Sequence, residues 1–166
     1  MKTARILVPL DGSMLAEAAI DAALDLGRGT PCKLMLVRAA AAHVLPGADP
    51  TDEAVGVVRE AEQYLDAVVA RLAKRGVKDV DTSVWYGPAA ASIIEATKLK
   101  KADLIVMSTH GRSGLGRLIL GSVTESVLRG TTASICVVRA PGAPIEAPAG
   151  TAMPREKKEP AQVALR

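Results

Sequence analysis

Aromatic residues are nearly missing from this chain: it has no phenylalanine, one tryptophan and two tyrosines. The core of its 166 residues must then be aliphatic, and Val, Ile, Leu, Ala and Met are plentiful, with hydrophobic residues at 49%. A chain of this length fits one domain with an appendage. The same scarcity of rings argues against binding single-stranded nucleic acid, which relies on aromatic stacking. A dominant charge is missing too. Lys and Arg number 21 against 18 Asp and Glu, a formal charge of +3, too weak a bias to imply DNA or a membrane surface. No apolar run approaches the roughly 20 residues that span a bilayer, and the first residues lack the apolar stretch of a secretory signal. The two cysteines, Cys32 and Cys136, form neither a CxxC motif nor a disulfide framework. Cys136 lies in an apolar run and reads as a small core residue. The expected setting is a reducing cytoplasm, with neither nucleic acid nor membrane as partner.

What is present is a regular alternation. Five apolar runs read as strands: Arg5–Pro9, Lys33–Ala39, Val80–Trp85, Leu104–Met107 and Ser134–Val138. Four are nearly continuous, as strands covered on both faces are. The third alternates as Val80, Thr82 and Val84, which fits an edge strand with one wet face. Helical stripes lie between the runs. Leu15, Ala18, Ala19, Ala22 and Leu26 form the first, with Ser13 as its N-cap and Gly27 near its end. Ala54, Val58, Ala61, Leu65, Val68 and Leu72 form the second, capped by Thr51 and stopped by Gly76. Pro88 suits the first turn of a third helix that carries Ile93, Ile94 and Leu99. A fourth, short helix runs from Ser122 to about Arg129. Residues 39–50 read as a loop, and no internal repeat is visible.

This β-α-β-α-β-α-β-α-β order implies an α/β fold: a doubly wound, five-stranded parallel sheet with helices on both faces and right-handed crossovers. Two strand orders satisfy it, 2-1-3-4-5 and 3-2-1-4-5. The second puts the alternating third strand at an edge and is preferred for that reason. Residues 1–140 then form the domain. Residues 141–166 change character, with Pro141, Pro144, Pro148, Pro154 and Pro160 among Gly, Ala and charges. They read as a disordered tail, or one that docks extended on a partner.

In such a sheet ligands bind beyond the carboxyl ends of the strands, where the winding direction switches. For the order 3-2-1-4-5 the switch lies between the first and fourth strands. The first ends in Pro9-Leu10-Asp11-Gly12, and the fourth runs into the glycine-rich, basic stretch from Ser108 to Ser122. Glycines let a backbone approach an anion, and a helix N-terminus adds free N–H donors and partial positive charge. An acid and a phosphate cradle thus meet at one crevice, which points to a nucleotide. Asp11 reads both as a turn residue and as an acceptor for ribose hydroxyls or a neighbour of a phosphate-bound metal. Ser122-Val123-Thr124-Glu125 matches a capping box, so Ser122 is read as a cap, a phosphate contact, or both. Arg112 and Arg117 read equally as phosphate contacts and as a solvated loop. His110 reads as a loop-ordering residue rather than a catalyst, and no ligand cluster around it suggests zinc. The P-loop pattern is absent, and Gly111-Arg112-Ser113-Gly114-Leu115-Gly116 is GxxGxG after the fourth strand, not GxGxxG after the first.

These residues resemble the universal stress protein family, in its nucleotide-binding branch. The resemblance covers residues 2–139, from Ile6-Leu7-Val8-Pro9-Leu10-Asp11-Gly12-Ser13 to Ser134-Ile135-Cys136-Val137-Val138-Arg139. Its most specific piece is the branch's G-x2-G-x9-G-[ST] pattern, met here by Ser108-Thr109-His110-Gly111, nine residues, then Gly121-Ser122. Ser108 replaces the first glycine; it is small but loses conformational freedom there. The resemblance implies ATP or a related adenine nucleotide as ligand. Asp11 would meet its ribose or metal side, Pro9 and Ala39 would flank the adenine, and Met107 would lie against base or sugar. Ser108, Gly111, Gly121, Ser122, Val123 and Thr124 would surround the phosphates, which with water would hold Mg²⁺ or Mn²⁺. It also implies a homodimer through the fifth strand, an apolar edge that needs a cover. The function expected is that of a nucleotide-binding regulator of the stress response acting on an unknown protein partner, with slow ATP hydrolysis at most. The alternatives are a nucleotide-independent dimeric interaction module and a weak ATPase.

Overall fold

The computed structural model describes residues 3–42, 50–108 and 121–139. The elements are β1 (Ala4–Pro9), α1 (Met14–Leu26), β2 (Cys32–Ala40), α2 (Pro50–Lys74), β3 (Val80–Tyr86), α3 (Ala89–Leu99), β4 (Leu104–Ser108), α4 (Ser122–Gly130) and β5 (Ser134–Val138). All four strand pairings are parallel, and the sheet runs β3-β2-β1-β4-β5. This is the expected order, with the alternating strand β3 at one edge and the apolar strand β5 at the other. The glycine-rich residues Gly111, Arg112 and Arg117, His110, and the 141–166 tail lie outside the described residues.

Alternation along each strand sends side chains to opposite faces, and two cores result. Ile6 and Val8 of β1, Leu34 and Leu36 of β2 and Val106 of β4 pack under α1 and α2. Leu7, Met35, Val37, Ile105 and Met107 pack under α3 and α4. Leu7, Leu36 and Ile105 are fully buried, and each contributes about 1.5–3 kcal/mol by leaving water. The helices supply the matching stripes: Ala16, Ala19, Ile20 and Ala23 on α1, and Ala61, Leu65, Val68 and Leu72 on α2. The chain winds outward from β1 to β3 on one face, then crosses back to β4 and β5 on the other. The winding direction therefore reverses between β1 and β4.

The helix ends show where sequence and structure part. Ser13 caps α1 as expected, its Oγ accepting from Ala16 N–H at 3.1 Å. Gly76, with φ +83°, follows the last turn of α2, and Val77 N–H returns to Leu72 C=O at 3.1 Å. Thr51, however, lies inside α2, which already includes Pro50; proline's fixed φ suits a first turn and the helix begins earlier than the threonine. Pro88 precedes α3 rather than opening it, because its ψ of 134° is extended. Gly121, not Ser122, is the N-cap of α4, with Gly121 C=O accepting from Glu125 N–H at 2.9 Å. Ser122 is the first helical residue, and Glu125 pairs with Arg129 at 2.7 Å instead of reaching back to a cap.

Polar contacts tie α1 to α2. The Tyr64 hydroxyl donates to Glu17 Oε1 at 2.9 Å, Arg71 meets Glu17 Oε2 at 2.6 Å, and Arg75 meets Asp21 at 2.6 Å. The two arginine pairs are exposed and contribute about 0–1 kcal/mol each. Burial first, then the hydrogen bond to Glu17, pushes the Tyr64 phenol above the usual tyrosine range.

Two outcomes follow. A Cβ on Gly27 would stand 2.6 Å from Cys32 Sγ, so Gly27→Ala should destabilise by about 1–3 kcal/mol. Adding Cys32→Ala should restore most of the loss, as a double-mutant cycle in urea would show. The Tyr64 phenol is held protonated in the fold, so its contribution is complete below the unfolded value of about 10 and falls as pH rises past it. Alkaline denaturation should therefore be steeper in the parent chain than in Tyr64→Phe.

Candidate functional site

The carboxyl ends of β1, β2 and β4 open into a cavity of about 450 Å³ at the point of reversal, within the size range of ligand sites. β1 and its following turn supply Pro9, Leu10 and Asp11, β2 and the residue after it supply Val37 to Ala41, and β4 supplies Met107 and Ser108. Ala16 of α1, Val57 and Glu60 of α2, Ala89 and Ile93 of α3, and Gly121 to Thr124 complete the wall. Of the residues expected at the site, Pro9, Asp11, Ala39, Met107, Ser108, Gly121, Ser122, Val123 and Thr124 thus line one cavity, and Gly111 lies outside the described residues.

Asp11 holds a turn and lines the cavity at once. Its Oδ1 accepts from Ser13 N–H at 2.9 Å and from Ser13 Oγ at 2.6 Å. Pro9 and Ala39 are half-buried at the ends of their strands. Met107, 5% exposed, belongs chiefly to the α3/α4 core and forms the cavity's floor. Opposite Asp11, α4 starts at the cavity. The N–H groups of its first turn have no acceptor within the helix by geometry, and they carry the positive end of its dipole. Thr124 is 3% exposed, and its Oγ1 donates to Ser108 C=O at 3.2 Å, which fixes the helix start to the end of β4. Ser122 and Val123 are exposed at the mouth.

Sequence reasoning missed Arg38, Val57 and Glu60. Arg38 is buried, and its Nη2 donates to Glu60 Oε1 at 3.2 Å. The signal was there: a lone charge inside the run Leu34-Met35-Leu36-Val37-Arg38-Ala39, which is otherwise apolar. The cavity consequently has two unlike ends, one carrying Asp11, Arg38 and Glu60, the other carrying amides and hydroxyls. Such an arrangement can accept hydroxyl donors at the first and an anion at the second. Among the described residues no group of three His, Cys, Asp or Glu side chains is placed to hold a metal ion, and no helix is long and apolar enough to cross a membrane.

The model of the "Universal stress protein family" matches residues 2–139. A universal stress protein of Methanocaldococcus jannaschii is 30% identical over 141 residues, 82% of each chain. Among solved structures, universal stress protein UspA of Lactobacillus plantarum superposes with a TM-score of 0.70 at 21% identity, over 84% of this chain and 99% of that one. A universal stress protein solved in complex with cAMP superposes with a TM-score of 0.56 at 23% identity, over 82% and 97%. With its 3-2-1-4-5 sheet and a family match over essentially all of its strands and helices, the chain belongs to the universal stress protein family.

Proposed function

We propose that the cavity binds an adenine nucleotide, ATP in the first place, and that the protein acts as a nucleotide-responsive regulator in the stress response rather than as an efficient enzyme. The observation that carries this reading is the meeting of the Asp11 turn with the N-terminus of α4 across one cavity. Asp11 would accept from ribose hydroxyls, Pro9 and Ala39 would flank the base, and the α4 amides with Ser108, Ser122 and Thr124 would take the phosphates. A universal stress protein of the same fold holds cAMP, which supports an adenine ligand without choosing its phosphate number. Mg²⁺ or Mn²⁺ would be held chiefly by phosphate oxygens and water.

The edge strand β5 supports a homodimer within the same reading. Ile135, Cys136 and Val138 are half-buried and Val137 is 37% exposed. An apolar edge of this kind invites pairing with another chain, and a second copy carries the same edge.

Calorimetric titration with Mg-ATP, AMP and cAMP tests the nucleotide. Heat of binding and a raised Tm are expected, strongest for ATP, and Asp11→Ala should weaken binding about ten- to a hundredfold, the weight of a hydrogen bond to a charged group. Neither heat nor a Tm shift at millimolar nucleotide would reject the reading, and rapid hydrolysis abolished by Asp11→Ala would make the protein an ATPase instead. Sedimentation should show a dimer for the parent chain and a monomer for Val137→Lys; a parent monomer would remove the β5 interface.

A further inference from the structure

We propose that Arg38 is the positioning residue of this cavity: it fixes the Asp11–Ser13 turn and the inner face of α2 against each other, and so governs how firmly the site holds the sugar end of its ligand. The ligand part rests on the nucleotide reading above; the positioning part does not.

Arg38 is the one charged side chain that is buried among the described residues. It stands on β2 two residues after Leu36, and alternation puts both on the α1/α2 side of the sheet. A buried guanidinium is unfavourable unless its neighbours compensate it closely. Here Glu60 and Tyr64 do so, and a third side packs against the chain. Nη2 donates to Glu60 Oε1 of α2 at 3.2 Å. The guanidinium carbon lies 4.7 Å from the centroid of the Tyr64 ring, inside the range of about 6 Å for cation–π attraction. On the remaining side is the turn after β1. A Cβ on Gly12 would stand 3.4 Å from Nη1 and 3.6 Å from the guanidinium carbon. Gly12, at φ +87°, thus lays bare backbone against the cation.

These contacts close a ring. The turn rests on Arg38, Arg38 on Tyr64, and the Tyr64 hydroxyl on Glu17 of α1 at 2.9 Å. α1 returns to the turn through its cap, since Ser13 receives Ala16 N–H at 3.1 Å and itself donates to Asp11. Only one side chain in the ring, Arg38, reaches β2, α2 and the turn together. Its charged head is engaged by Glu60 and Tyr64 and packs against the turn, an arrangement that suits a residue that places Asp11 rather than one that grips a phosphate. Glu60 is exposed over 72% of its side chain while Arg38 is exposed over 9%, so the pair's hold depends on the buried partner. Lysine cannot reproduce the planar, forked contact.

The test uses the full chain with Arg38→Met, Arg38→Lys and Glu60→Gln, the last a change at an exposed side chain that leaves folding intact. Amide hydrogen exchange is read without ligand, and titrations use adenosine, ATP and inorganic tripolyphosphate. In Arg38→Met the amides of Ser13 and Ala16 should exchange about tenfold faster, as in a local opening, while those of Ile105 and Val106 in β4 keep the parent rate. Adenosine and ATP should lose affinity by the same factor, and tripolyphosphate none. Arg38→Lys should fall between parent and Arg38→Met, and Glu60→Gln should shift the same amides in the same direction by less. Parent-like exchange at Ser13 and Ala16 in both Arg38→Met and Glu60→Gln overturns the proposal. So does an affinity loss for ATP with adenosine unchanged, which would make Arg38 a phosphate contact. If the parent chain binds neither adenosine nor ATP, the nucleotide reading falls, and the exchange rates still decide the positioning.

Discussion

A parallel strand cannot turn back onto its neighbour; a crossover helix must carry the chain the length of the sheet before the next strand begins. In this protein that constraint builds the cavity. Every strand ends at the same edge of the sheet, and the right-handed crossovers place α1 and α2 on one face and α3 and α4 on the other. Where the winding reverses, the turn after β1 and the start of α4 are drawn to opposite sides, and the edge between them is left open. An aliphatic core suits this arrangement. Small and branched side chains fill two thin layers without rings, and alanines at 16, 19 and 23 let α1 lie close to the sheet.

β1, β2 and β4 were the most legible part of the sequence, because burial on both faces demands continuous apolar runs; β5 shows such a run although none of its residues is fully buried. β3 was legible for the opposite reason: its alternation marks an edge, and that one inference chose between two strand orders. Helix starts were less legible. Pro88 and Gly121 define two of them through backbone angles and α2 begins at Pro50, whereas capping side chains pointed to Thr51 and Ser122. Propensity for a cap is local, but where a helix starts also depends on how the crossover meets the sheet.

The cavity was legible as a meeting of two backbone segments, Pro9–Asp11 and Gly121–Thr124, since topology alone brings those together. Its α2 wall was not. Val57 and Glu60 reach the site because a helix of 25 residues crosses the end of β2, and nothing in their spacing distinguishes that face from solvent. Arg38 belongs to the same class of omission, although a charge within the apolar run of a doubly covered strand, near its carboxyl end, is itself anomalous. Such a residue must find compensation, and compensation for a buried cation is found where strands end and polar elements gather.

The unlike ends of the cavity also bear on direction. A triphosphate carries several negative charges, and Asp11 with Glu60 outweighs the single cation at Arg38, so the β1–β2 end repels it. The start of α4 attracts it through amides and dipole. Without Glu60, Arg38 would balance Asp11, and that end would no longer repel phosphate. On the nucleotide reading, the pair therefore does two things with one contact. It supports the wall behind Asp11, and it keeps the β1–β2 end net negative against the phosphates.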